Sequence, residues 1–202
     1  GASGFPNEYS LAFDGVDDVL ITTKDASIMP TDNLTVGCWV NPSTWAFPGS
    51  IQVRSPFGCV KSGGWGIRFQ NNFGASETTF NSIIRVSDTG SGSAGYLQAS
   101  AGVGFSPTLR ALTGWHYVAL TYDKGTGVAS LSLDGVEKGT DTAAAGADIA
   151  YSVSNLKLMF GADATSDTAG EEFFEGNIDE GSVWNKALTS AELIAVYNGG
   201  VP

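Results

Sequence analysis

GNIDEGSVWNKALTSAELIAVYNGG, residues Gly176 to Gly200, is the stretch that decides the fold. Its first half reads as a strand that carries one buried-looking carboxylate, Asp179, and ends on Trp184 and Asn185. Its second half reads as a short helix. Thr189 is a natural N-cap, and Glu192 stands three residues on, the spacing of a capping box. Leu193, Val196 and Tyr197 give this helix one apolar stripe, and Gly199-Gly200 ends it. Near the other end stands LAFDGVDDVLIT, Leu11 to Thr22, which sets acidic residues in a turn between two apolar strands.

Between these two pieces the chain is written almost wholly as strands and turns. Short apolar runs alternate with Gly, Ser, Thr, Asn and Asp, and there are 27 glycines. Expected strands lie at 9–13, 19–22, 34–40, 57–61, 65–70, 81–87, 96–99, 115–123, 128–133, 136–138, 155–161 and 173–184, the last bent at Gly176 or Gly181. Residues 45–55 read as an irregular loop and 71–77 as a mobile polar one. Trp115 to Asp123 is apolar on both faces, so it reads as a central strand covered on both sides. Asp134-Gly135 is a hairpin signal. About a dozen strands and one short C-terminal helix make an all-β antiparallel sandwich of two sheets, not an α/β enzyme. At 202 residues this is one domain, 9–202, behind a linker or tag remnant at 1–8.

The formal net charge is −11. Nucleic acid needs a basic footprint that is not written here, and anionic membrane surfaces are disfavoured for the same reason. No apolar run approaches the roughly 18 residues of a membrane span, so membrane insertion is not expected. Cys38 and Cys59 are the two cysteines. They read as small buried side chains, or as one bridge on neighbouring strands if the chain is extracellular. Asn33-Leu34-Thr35 is a glycosylation sequon whose meaning depends on the source.

Several pieces in this order resemble the laminin-G-like branch of the concanavalin A-like jelly rolls, from about Tyr9 to Asn198. They are the turn Phe13-Asp14-Gly15-Val16-Asp17-Asp18, the strand Leu34-Thr35-Val36-Gly37-Cys38-Trp39-Val40, and the strand Trp115-His116-Tyr117-Val118-Ala119. The hairpin Asp134-Gly135 and the closing segment Gly176 to Glu192 complete the set. The resemblance implies a two-sheet jelly roll with its first and last strands adjacent. It also implies a binding module, often with calcium, and an extracellular, virion-surface or cell-surface setting. The family includes glycan-binding modules, adhesion domains, hydrolase appendages and virion surface proteins, so fold does not fix function.

The metal candidates are Asp14, Asp17 and Asp179, with Asp18 beside them. Calcium takes six to eight oxygens, and an acidic turn offers both carboxylates and free carbonyls. Asp179 lies in a sheet, where an uncompensated carboxylate is costly. A cation joining the first and last strands resolves that cost. So do backbone N–H groups with no ion.

Catalysis is not expected. Glycosidases use two carboxyls about 5–10 Å apart, and related jelly-roll glucanases carry them as Glu-x-Asp-x-x-Glu, a run absent here. Glu171, Glu172 and Glu175 come nearest but read as solvated charge. His116, the only histidine, stands where the family has a structural one. Two cysteines and one histidine without Cys-x-x-Cys do not make the usual zinc sites.

The carbohydrate candidates are Trp45, Trp65, Arg68, Asn71, Arg85 and Tyr96, with Asn72 beside them. Aromatic faces stack on sugars, and planar polar groups beside them bond hydroxyls. Trp45, in a loop with Pro and Gly, is expected to be exposed. Arg68 and Arg85 alternate with apolar residues and should leave the core. Two functions therefore stand: a non-catalytic lectin-like module for glycans with a structural calcium, or a structural or adhesion domain contacting a surface protein.

Overall fold

The structure, a computed structural model, describes residues 9–22, 25–45, 53–59, 63–72, 77–92, 94–101, 109–151, 157–164 and 170–199. The expected linker at 1–8 lies outside them. The strands are β1 (Leu11–Asp14), β2 (Leu20–Ile21), β3 (Leu34–Pro42), β4 (Val53–Gly58), β5 (Trp65–Asn72), β6 (Glu77–Val86) and β7 (Gly95–Ser100). They continue with β8 (His116–Asp123), β9 (Val128–Leu133), β10 (Val136–Thr142), β11 (Met159–Phe160), β12 (Asp163–Ala164), β13 (Gly170–Glu171) and β14 (Glu175–Trp184). One helix, α1 (Ser190–Gly199), follows β14.

Two six-stranded sheets face each other. The first runs β1-β14-β3-β8-β9-β10 and the second β2-β11-β4-β5-β6-β7. The described pairings are antiparallel, and β1 lies directly on β14, with Leu11 opposite Ile178 and Asp14 opposite Glu175. The expected jelly-roll sandwich with adjacent first and last strands is what forms.

Alternation builds the core. Leu34, Val36, Cys38 and Val40 of β3 point between the sheets, as do Val118, Leu120 and Tyr122 of β8, and Phe57, Trp65, Ile67, Phe69 and Phe80 of the second sheet meet them. The other face of β3 and β8 is also covered. Trp39, Tyr117 and Ala119 pack against Leu193 of α1 in a second cluster, and Tyr197 stacks on Trp39 with ring centroids 5.4 Å apart. So β8 is central and buried on both sides, as its sequence reads. The cap of α1 is the capping box. Thr189 N–H donates to Glu192 Oε2 at 2.9 Å, and Glu192 N–H donates to Thr189 Oγ1 at 3.3 Å.

The Asp134-Gly135 turn has φ of 53° and 74°, as a two-residue type I′ hairpin needs. Asp134 also accepts from Tyr117 N–H at 2.9 Å and pairs with His116 Nδ1 at 2.7 Å. That hydrogen bond holds the imidazole above its ordinary pKa, against the opposing effect of burial. His116 is thus a structural residue fixing a hairpin.

Some expectations are corrected. β4 begins at Val53, inside the stretch read as a loop, and the polar residues Asn71, Asn72 and Glu77 belong to β5 and β6. Here the ladder between long neighbouring strands overrides weak intrinsic propensity. The strand read at 155–161 is only Met159–Phe160 among the described residues. Cys38 lies on β3 of the first sheet, whereas Cys59 follows β4 of the second, so they are not on neighbouring strands. Both are free and buried. Burial raises both thiols, that of Cys59 to about 12 and that of Cys38 further, so both behave as apolar fillers. In the sequon, Asn33 Oδ1 accepts from Lys124 N–H at 2.9 Å and Thr35 is buried. Among the described residues no helix is long and apolar enough to cross a membrane.

Candidate functional site

The acidic turn folds around its own carboxylates. Gly15 takes φ of 77°, which glycine adopts without a Cβ penalty. Asp14 Oδ1 accepts from Val16 N–H at 2.8 Å and Asp17 N–H at 3.4 Å, and Asp18 Oδ2 accepts from Asp14 N–H at 3.0 Å. The Val16 bond does most to hold the Asp14 carboxyl below its usual range. Asp14, Asp17 and Asp18 each offer a carboxylate oxygen within 4.8 Å of the others, and all three are exposed. That spacing fits one calcium sphere, in which opposite oxygens at about 2.3–2.6 Å from the ion lie about 5 Å apart.

Asp179 does not join them. Asp14 is opposite Glu175 on β14, and Asp179 lies four residues further along that strand, about 13 Å away at the usual rise. One ion cannot touch both, so the expected bridge between first and last strands is corrected by the register. Asp179 is paired across the sheet with Trp39, and its Oδ1 accepts from Glu180 N–H at 2.7 Å. A bulge between Asp179 and Ser182 follows, with Glu180 at φ of 47°. The carboxylate is thus half-buried and served by the backbone, the second of the two readings its sequence allowed.

The carbohydrate candidates separate into three groups. Trp45 is 3% exposed and Trp65 is 0% exposed. Trp45 packs edge-on against Phe69 and His116, and Trp65 against Phe57. Neither offers a ring face to a sugar, which corrects both assignments. The polar context of Trp45 marked a loop end, but the ring turns inward to fill the sandwich.

Arg68 does leave the core, on the outward face of the second sheet, but it is engaged. Its Nη2 lies 2.5 Å from Asp163 Oδ2 and its Nε 3.2 Å from Glu172 Oε2. Asp163 is fully buried. Glu172 is therefore not the solvated charge its acidic run suggested, and Asp163 was missed. The only sequence signal for the pair was that an arginine at a nearly buried strand position must find carboxylates. Beside it, Asn81 Nδ2 donates to Gln70 Oε1 at 3.3 Å, so this face carries a hydrogen-bonded polar patch. Asn71 lies on β5, its side chain outside the described parts.

Arg85 and Tyr96 form the third group. They are cross-strand partners on β6 and β7. The Arg85 guanidinium stands 5.0 Å from the Tyr96 ring centroid, a cation–π pair. Tyr96 is 53% exposed. Arg85 also lines a groove of about 200 Å³ with Gly95 and Tyr151. Here an aromatic face and a planar donor group meet at the surface.

The profile of the concanavalin A-like lectin/glucanases superfamily, laminin-G type, matches residues 14–194. The chain belongs to this superfamily. No curated protein matches the sequence. Among solved structures, the superfamily fold is shared with a heptameric SAP-like pentraxin of Limulus polyphemus. The TM-score is 0.62 at 14% identity, over 92% of this chain and 80% of that one. The carbohydrate-binding module CBM40 of a Ruminococcus gnavus sialidase, solved bound to α2,3-sialyllactose, gives 0.61 at 17% identity, over 93% and 96%. Domain 4 of an extracellular arabinanase of Geobacillus stearothermophilus, solved with arabinotriose, gives 0.58 at 18% identity, over 93% and 76%. At these identities the likeness is one of fold.

Proposed function

We propose that this superfamily member is a non-catalytic, lectin-like module that binds carbohydrate beside Arg85 and Tyr96. The observation that carries the reading is the exposed Tyr96 ring, braced at 5.0 Å by the guanidinium of Arg85, which itself lines a groove. A pyranose lays its C–H face on such a ring while the arginine donates to its hydroxyls. The glycan-bound relatives support the class of ligand. The non-catalytic reading is supported by Asp163 and Glu172, which are held by Arg68 rather than poised as acid and nucleophile. A glycan array, read with and without chelator, tests the proposal. Any sugar that binds should lose roughly tenfold in affinity with Tyr96→Ala, the scale of one stacking contact, and should not be hydrolysed in a reducing-sugar assay. Turnover that vanishes with Glu172→Gln would overturn it. Binding to no glycan would move the reading to a protein-contacting adhesion or structural domain, which exposed Val136 and Ile194 favour.

A structural calcium belongs to the same proposal, held by Asp14, Asp17 and Asp18, where it would tie the turn together. Extracellular calcium modules bind at about 10⁻⁴–10⁻³ M, and an extracellular, virion-surface or cell-surface setting is part of the same proposal. Calcium should raise the melting temperature by mass action, with about 2.7 kcal/mol gained at a hundred times Kd. Asp17→Asn should remove that response, because Asp17 supplies a ligand while Asp14 and Asp18 keep the turn's backbone bonds. Asp179→Asn should leave the response intact. Identical melting curves in calcium and in chelator would refute the site.

A further inference from the structure

The sandwich closes one of its two edges and leaves the other open. At the closed edge, β10 of the first sheet meets β7 of the second. Asp141 Oδ2 accepts from Gln98 N–H at 2.8 Å. Gly139 comes so near that a Cβ on it would fall 2.0 Å from the Ser100 carbonyl oxygen. At the other edge stand β1 and β2. β1 pairs with β14 on one side and, among the described residues, with no strand on the other.

The core is unfinished at this open edge. Leu11 shares a face of β1 with the buried Phe13, yet it is 46% exposed. Leu20 and Ile21 of β2 are exposed as well. A cavity of about 310 Å³ opens there, with Leu11, Leu20, Phe160 and Ile178 among its walls. The backbone is open too. Asp14 N–H donates to Asp18 Oδ2 at 3.0 Å, so it points away from β14. By alternation, Ala12 turns its N–H and C=O the same way. Asp18 thus caps the last donor of the edge, while Ala12 presents a donor and an acceptor outward. A strand edge of this kind is a template for another strand.

We propose that β1 is a docking edge for an extended, basic segment of another protein, which adds to the first sheet as an antiparallel strand. Residues directly opposite one another share a face. The side chains opposite Phe13 and Leu11 therefore turn toward the core, and apolar ones bury the surface that Leu11 leaves in water. The side chain opposite Asp14 lies on the outer face. A lysine or arginine suits that place, because Asp14, Asp17 and Asp18 are exposed there with carboxylate oxygens within 4.8 Å of one another. From its N-terminus the segment thus reads basic, apolar, any, apolar. Charge selects this occupant over a second copy of the chain: two copies at −11 each repel.

The test is an amide NMR titration of the full chain with the peptide acetyl-Lys-Val-Thr-Val-Thr-amide, in chelator so that the acidic turn keeps its charge whether or not it takes calcium. Leu11, Ala12 and Leu20 should shift, and the Ala12 N–H should become protected from exchange. Replacing the peptide lysine by glutamate should weaken binding about tenfold or more. N-methylation of the middle threonine, which lies opposite Ala12, should abolish it. Ala12→Pro should do the same from the protein's side and still fold, because proline is tolerated on an edge strand whose lost N–H faced outward. Should that variant fold poorly, the N-methyl peptide on wild type answers the same question. Equal binding of the lysine and glutamate peptides, or of the N-methyl peptide, would overturn the proposal, as would no shifts with millimolar peptide. Shifts at Ala12 that grow with protein concentration alone would give the edge to a second copy. Nuclear Overhauser contacts from Phe5 to Leu20 in the chain alone would give it to residues 1–8. Sugar binding at Tyr96 has no bearing on these outcomes, because the two sites share no residue.

Discussion

Arg68→Ala should destabilise the fold by about 3–5 kcal/mol, the penalty for removing one partner of a buried ion pair. Asp163 is fully buried, and its Oδ2 lies 2.5 Å from the guanidinium. Glu172 is held on the same group and sits at φ of 57°, a strained value for a residue with a side chain. Losing Arg68 therefore leaves two carboxylates against each other on a nearly water-free face. The remedy should be the removal of charge, not its restoration. Arg68→Met combined with Asp163→Leu should recover part of the loss, because an apolar pair of similar volume removes the desolvation cost of Asp163 while Glu172 keeps its own. Urea denaturation of both singles and the double measures the coupling. A single Arg68→Ala variant within about 1 kcal/mol of wild type would show that the pair behaves as a surface bridge.

Trp65→Ala should be equally severe, about 3–5 kcal/mol, as for other large buried aromatics. The ring is inaccessible, and its centroid is 5.1 Å from that of Phe57 in an edge-to-face contact. Deleting it empties the middle of the sandwich. Any loss of ligand binding in that variant should follow the loss of folded protein and vanish when binding is normalised to it. A stable, folded Trp65→Ala variant that no longer binds sugar would return Trp65 to the binding surface.

The fold was legible because its signals are local and mutually consistent. The capping box at Thr189, the Asp134-Gly135 turn and the two-sided apolar pattern of Trp115 to Asp123 each name one element, and the structure uses each as named. The site was less legible, and for a physical reason. Whether an aromatic ring faces sugar or core depends on what the opposite sheet places against it, which a single strand does not encode. Trp45 carries Pro and Gly nearby and is buried by Phe69 and His116. Tyr96 sits in a weak strand and is exposed. The separation of Asp179 from the acidic turn depends on the β1–β14 register, a relation between residues at opposite ends of the chain. Arg68, in turn, finds Asp163 far along the sequence.

The place of β14 has a consequence for synthesis. It lies inside the first sheet, between β1 and β3, yet it is the last strand of the described chain. During translation β3 emerges early with one edge bare, and the partner that covers it emerges only after nearly everything else. The sheet's interior contacts are therefore long in sequence, which slows folding, and the waiting edge of β3 can pair with another nascent chain. A polypeptide stalled before Glu175 would carry that edge permanently. The recovery of folded protein then depends on how that edge is shielded during synthesis as well as on the sandwich's own stability.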